Sequence, residues 1–398
     1  MKRVFSDLHL NFEPWRRWSY LSIRSLLAFM SVFILSIPLL SATVQEKEKK
    51  KSPTLVLESA DSNENTYSNG EFISVLKGNV MFTYDDIKVR SDEATWWRNQ
   101  GMVDFMKNVV VTRGSQKITC DRMHFTKDGN LLTASGKFLF VDTKERTIMS
   151  GQQAEYFIQS KCFTLKGNPR LVRYDTTSAE TLTIVGSVMN YVDSLKKATV
   201  SEDVVIKKGK LTSKCRFAHY LTDSNFAMLR VNPEVYYDEN KVTGDSINLV
   251  FGKESLRKAM VTGHSHGTYI DTSANTRSDT GITHIWGDSL MMTVSDSGTL
   301  DSLWTYGKAL SRYYLSSSPD NVNEASGKKM LMDFGANGIV KNVKIWGNAR
   351  SKYYVDEDNG KGTNEASGDS IAVVFRKGKA SVLSLAGKAR GIYYPRNL

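Results

Sequence analysis

The sequence predicts an all-β protein, an elongated stack of two facing antiparallel sheets built from about nine repeats. Two observations carry this: a pair of short blocks recurs along the chain, and hydrophobicity within each block alternates with period two. Composition agrees, because 10% aromatic residues with 7 prolines suits solvated sheets better than a helical bundle.

The repeat is clearest near the C-terminus. Gly244-DSINLVF, Gly287-DSLMMTV, Gly327-KKMLMDF and Gly368-DSIAVVF are each followed by a second block, Gly263-HSHGTYI, Gly307-KALSRYY, Gly347-NARSKYY and Gly387-KARGIYY. Earlier units are degenerate: Asp92-EATWW leads to Lys107-NVVVT, Asp121-RMHF to Gly136-KFLFV, and Gln152-QAEYF to Gly167-NPRLV. First blocks begin at 92, 121, 152, 187, 216, 245, 288, 328 and 369. The later, longer spacings come from polar stretches at 271–281, 316–326 and 356–367, whose composition predicts surface turns.

Alternation assigns the faces. Ile247, Leu249 and Phe251 share one face, and the equivalent inward sets are Met123 with Phe125, Met189 with Tyr191, Leu290 with Met292, Met330 with Met332 and Phe334, and Ile371 with Val373 and Phe375. Tyr156 holds the same parity in its own unit. In the second blocks small residues precede an aromatic on one face, with basic residues on the other. Two strands per unit cannot bury an apolar face alone, so units must stack. Nine units with neighbours about 4.8 Å apart predict a slab roughly 45 Å long, with the segments near Phe72–Val80 and Leu385–Tyr394 as its open edges.

The front of the chain reads differently. Between Arg24 and Glu46 no residue is charged, and the apolar run follows Arg16, Arg17 and Arg24 and ends in Ser41-Ala42-Thr43. That is a secretory leader, with retention of residues 25–42 as a membrane anchor as the alternative. The organisation expected is therefore 1–43 leader or anchor, 44–65 polar tether, 66–240 first β segment and 241–398 second β segment with longer turns.

Candidate chemistry is sparse. The formal net charge of +11 is a basic surface that can meet anionic headgroups or phosphates, and no recognition-helix, zinc-finger or RNP-type pattern accompanies it, so nucleic acid is not an expected partner. Arg312, Arg350, Lys352 and Arg390 form its outer stripe. Cys120, Cys162 and Cys215 have no metal-ligand spacing. His264 and His266 form an H-x-H, with His124, His219 and His284 in other units, but no spacing fixes a third ligand and no metal is expected. Asp245, Asp288 and Asp369 recur at one position and are read as turn acids bonding their own backbone, not as a catalytic pair. No nucleophile-elbow, P-loop or dinucleotide motif is present, so neither enzyme activity nor a cofactor is expected.

A gapped pattern runs Leu76-KGNVMFTYDDIKVRSDEATWW, Val103-DFMKNVVVTRGSQKITCDRMHF, Leu132-TASGKFLFVDT, Ile148-MSGQQAEYF and Phe163-TLKGNPRLVRYD. It resembles the OstA/LptA-type organic-solvent-tolerance and lipopolysaccharide-transport domain, in which a G-N-V strand alternates with an acid-x-A-x-Y strand. The resemblance covers about residues 66–240, and the later units keep the same grammar. It implies a half-open antiparallel β-jellyroll in the periplasm whose inner face holds lipid A acyl chains. It also implies edge-strand pairing with other jellyroll transport proteins or a second copy. The inward sets above would then be groove residues, and adaptable Met side chains suit variable acyl chains, worth about 0.8 kcal/mol per buried CH₂. The competing reading is a structural envelope repeat protein with a closed core that binds a protein or polysaccharide. Splaying of the two sheets distinguishes them.

Overall fold

The computed structural model describes residues 54–126, 130–174, 181–253, 255–271, 280–316, 318–335, 338–357, 360–376 and 379–395. The leader and the start of the tether lie outside the described residues. The described secondary structure is antiparallel β, interrupted by one 3-10 turn at Asp193–Leu195. The second half of the expected tether is not a tether: Leu55–Ser59 and Ser62–Ser68 are strands, and both pair with Glu71–Tyr84. Leu55 and Leu57 alternate and pack against the apolar cluster, whereas Ser62–Ser68 has polar side chains and is drawn into the sheet because pairing satisfies its backbone groups.

From Glu71 onward the chain is a meander in which successive strands pair, and the pairing skips register in mid-strand. The skip falls between Lys77 and Val80, Arg90 and Glu93, Met106 and Val109, and so on through Trp346 and Ala349. Each skip is a bulge that turns the strand from one sheet into the other. Six pairs of the 26 described strands, such as Cys162–Lys166 with Arg170–Arg173, are the two halves of one bent strand. About twenty bent strands therefore stack, which at about 4.8 Å each spans about 90 Å, not 45 Å. Each repeat supplies two bent strands to each sheet, whereas the period alone suggested one.

The corners explain the repeat motif. Gly78-Asn79, Lys107-Asn108, Gly136-Lys137, Gly263-His264, Gly307-Lys308 and Gly387-Lys388 each have two consecutive residues at positive φ. The first-block acid lies across from them. Asn79 Nδ2 donates to Asp61 at 2.9 Å, Asn108 Nδ2 donates to Asp92 at 2.7 Å, and His264 Nδ1 sits 3.0 Å from the Asp245 carboxylate. The amide of Asp245 donates to the carbonyls of Thr262 and Gly263. So Asp245, Asp288 and Asp369 are corner acids in mid-strand, and the expectation of turn acids is corrected. At Gly307, with φ +67°, an added Cβ would collide with the Asp288 carboxylate. Gly307→Ala is expected to destabilise by about 1–3 kcal/mol, read as a lowered denaturation midpoint.

The long spacings in the last units are also corrected. Residues 318–326 and 360–366 belong to the strands Ser318–Phe334 and Gly360–Arg376. These strands, with Leu256–Asp271, Leu300–Leu315 and Val340–Glu357, run 16–18 residues against 11–12 for Ile87–Trp97 to Thr147–Phe157. Polar residues lengthen the sheet because cross-strand pairing satisfies their backbone.

One apolar cluster runs through the interior from Leu76 to Ile371. Pairing also runs through 240, since Glu234–Tyr237 pairs with Asn240–Thr243 and that strand with Leu256–Asp271. At one hairpin the order is polar. Asp142, 4% exposed, accepts from Ser115 Oγ, Gln116 Nε2 and the amides of Lys144 and Glu145. Burial would raise its pKa, but these bonds, led by Gln116, outweigh burial and hold it below the usual carboxylate value. A depressed folded pKa contributes stability that is present above the ordinary Asp pKa of about 4 and is lost as pH falls through the folded value. Asp142→Ala is expected to cost about 1–3 kcal/mol at pH 7, with the gap to the parent narrowing in urea melts taken progressively below pH 4.

Candidate functional site

The sixteen inward residues from the sequence lie on one side of the bent sheets. Met189, Ile247, Leu249 and Met330 are fully buried, and Met123, Phe125, Tyr156, Tyr191, Phe251, Leu290, Met292, Met332, Phe334 and Ile371 are nearly so. Val373 and Phe375 pack against the same cluster but are only partly covered. All of them belong to, or border, a single interior.

In the N-terminal half that interior is closely packed. Under the mouth of one cleft, Ile87, Val111, Ile118, Leu132, Phe140 and Phe163 leave a free volume of about 20 Å³. This is room for one water and not for an acyl chain. Aromatic rings interlock along the same stretch: Phe82 meets Trp96 and Phe105 edge-on at 5.3 and 5.4 Å, and Tyr156 stacks on Phe163 at 4.3 Å.

Opposite the corners, where the two sheets could part, polar latches tie one sheet to the other. Arg113 Nη1 donates to Tyr156 Oη at 3.5 Å, and Arg173 to Tyr220 Oη at 3.4 Å and to the Thr222 carbonyl. Lys208 Nζ donates to the carbonyls of Gly252 and Lys253 at 2.7 and 2.9 Å. Tyr237 Oη donates to the Gly298 carbonyl at 2.8 Å, and Tyr269 Oη to the Gly338 carbonyl at 2.6 Å. Burial raises the pKa of all four tyrosines, so they stay protonated at neutral pH, Tyr237 and Tyr269 donating in their latches and Tyr156 and Tyr220 accepting from arginine. Sequence reading missed these latches. The terminal inward Tyr of the second block, Tyr269, was visible as the aromatic after small residues, but its carbonyl partner is about seventy residues away and unreadable from spacing.

The two ends of the stack differ. At the N-terminal end the inward positions of Ser62–Ser68 opposite Leu76 and Ser74 are Asn63 and Asn65. Ser74 Oγ donates to Asn65 Oδ1 at 2.7 Å, Arg98 Nε donates to Ser74 Oγ at 2.9 Å, and the guanidinium covers the rings of Phe72 and Trp96 at 4.7 and 4.6 Å. This end carries a polar plug. At the C-terminal end, Leu383 and Leu385 stand opposite Val373 and Ile371 and face inward, yet Leu383 is 42% exposed. Tyr393, opposite Asn364, is 49% exposed. Here the apolar interior reaches solvent. The expected first edge is therefore corrected to Leu55–Ser59 and Ser62–Ser68, while Lys379–Ala386 and Arg390–Pro395 form the last edge, each pairing with Gly360–Arg376.

Other candidates resolve simply. Cys120, Cys162 and Cys215 are free thiols, and burial pushes Cys120 up to about 12 and Cys215 to about 11. Arg312 of the outer stripe is paired with Glu324 at 2.9 Å. Among the described residues no three His, Cys, Asp or Glu side chains are grouped to hold a metal ion, and no helix is long and apolar enough to cross a membrane.

Residues 88–254 match the family described as LptA/(LptD N-terminal domain) LPS transport protein. That is a family of transport proteins. No curated protein matches the chain. Among solved structures the chain is similar to LptH, the LptA-homologous periplasmic component of the lipopolysaccharide transport device of Pseudomonas aeruginosa. Identity is 16% and the TM-score 0.21, over 36% of this chain and 82% of that one.

Proposed function

We propose, from the premise that residues 88–254 belong to the LptA/OstA-like lipopolysaccharide-transport family, that the chain is a non-catalytic carrier of envelope lipid. In this reading it works in the periplasm and shelters acyl chains between its two sheets. The observation that carries it is the contrast between the ends, a polar plug over Phe72 and Trp96 against an uncovered apolar mouth at Leu383. A core that served only structure would gain by covering that mouth, since exposed apolar surface costs about 25 cal/mol per Å². The latched rim then opens transiently, and lipid enters or leaves beside Val373, Phe375 and Leu383. Met292, Met330 and Met332 line the path next inward and can repack around a chain. The segments 66–240 and 241–398 form one continuous conduit, and the exposed last strand receives the edge of a like domain or a second copy.

The closely packed N-terminal interior and the latched rim support a second reading, a closed structural repeat protein that binds a protein or polysaccharide through its outer face. A photo-crosslinking residue at Phe375 or Leu383, compared with one at outward Lys344, separates the two in cells. Lipopolysaccharide adducts from the first pair and not from Lys344 are expected. Equal labelling from both faces, or none from inside, would favour the structural protein.

A further inference from the structure

The outward face of the long C-terminal strands carries a pair of imidazoles that lipid carriage does not use. His266 lies between buried Ser265 and Gly267 in Leu256–Asp271, and His284 between buried Thr283 and Ile285 in Gly281–Val294, so both point outward. The register sets His266 opposite Trp286 and Thr268 opposite His284, which makes the two histidines diagonal neighbours. Nε2 of His266 is 3.1 Å from Nδ1 of His284. The His266 ring lies on Trp286 at 5.0 Å with 8° between planes. Nε2 of His284 is 3.3 Å from Tyr314 Oη, and Thr268 Oγ1 is 3.4 Å from His284 Nδ1.

We propose that His266 and His284 together form a site for a borderline-soft divalent transition ion of the zinc, nickel or copper class. Imidazole nitrogens bind such ions at about 2.0–2.1 Å, and two of them 3.1 Å apart subtend about 100° at the ion, between square-planar and tetrahedral. Trp286 and Tyr314 hold the ring orientations, the outer support such ligands need. Binding replaces the hydrogen bond between the rings with two nitrogen–metal bonds. The ring that donated the bond moves its proton to its other nitrogen, at Tyr314 for His284, so no proton is lost overall. The neighbouring cations do not oppose the ion strongly. Lys241 is held by Glu234 at 2.9 Å and Arg312 by Glu324 at 2.9 Å. With two protein ligands the remaining positions belong to water, which makes the site exchangeable and not a structural centre. The H-x-H of the sequence is thereby divided, because His264 sits at a corner against Asp245 and takes no part.

The test uses the full chain carrying Cys162→Ser, which removes the one thiol that is not buried. Zinc is titrated by calorimetry, and nickel and copper by quenching of tryptophan fluorescence, with His264→Ala as the control. One ion per chain, released by a chelator, is expected, and His266→Ala or His284→Ala should weaken binding at least tenfold while His264→Ala leaves it unchanged. Tyr314→Phe, which leaves both ligands in place, should weaken it several-fold. Far-UV spectra and melting temperatures confirm that the variants remain folded. Failure of all three ions to bind at millimolar concentration, or binding that survives loss of both histidines, overturns the site. Neither result bears on lipid carriage.

Discussion

Proline placed at one alternating set of Arg390–Pro395, either Gly391 with Tyr393 or Ile392 with Tyr394, is expected to abolish the proposed end-to-end association while the protein stays folded. In an antiparallel edge strand alternate N–H groups bond the inner neighbour, here Gly360–Arg376, and the others face outward. Proline removes a donor, so the outward set disarms the edge and the inward set breaks the fold's own ladder. The edge is poorly guarded, with Tyr393 and Tyr394 about half exposed. The measurement is chemical cross-linking and light scattering of each set, paired with lipid transfer between donor and acceptor vesicles. Association that persists in the set that stays folded would mean that the C-terminal edge is not the docking surface.

Removing two latches is expected to have a comparable effect on lipid access. Tyr237→Phe with Tyr269→Phe deletes the bonds to the Gly298 and Gly338 carbonyls and leaves the rings, and hence most of the packing, in place. Each bond is worth about 1 kcal/mol net, so the pair should shift the opening equilibrium of the rim by about 2 kcal/mol. That is a factor of about 30 in the open population. Uptake of a fluorescent fatty-acid probe should accelerate by the same order, with little change in the far-UV spectrum. An unchanged uptake rate in the folded double variant would show that lipid does not enter through the rim. The mouth beside Leu383 would then be the remaining route. The structural reading predicts no uptake in either protein.

Much of the fold was legible because strand pleating has a rigid period. Ile247, Leu249 and Phe251 alternate in sequence and are buried together, as are Met330, Met332 and Phe334. The corner motif was legible as a repeat but not as a shape. Gly307 and Asp288 recur at fixed places, yet their meaning depends on two residues at positive φ facing a carboxylate one strand away. Turn-forming composition and corner-forming composition are the same residues, so Asp245 and its kin read as turns. For the same reason the polar run at 318–326 read as a loop, although pairing with Leu300–Leu315 draws it into a strand.

By itself the sequence determined the all-β class, the repeat, the identity of the inward side chains and the family signature, since each is written in spacing along one chain. Only the tertiary structure decided the doubled length, the latches from Arg113–Tyr156 to Tyr269–Gly338, the plugged and open ends, and the partnership of His266 with His284 instead of His264. These rest on pairs brought together across strands, from His266 and His284 eighteen residues apart to Tyr269 and Gly338 sixty-nine apart. Bulges set which residues meet across that distance, and a single slip in register would have matched different partners.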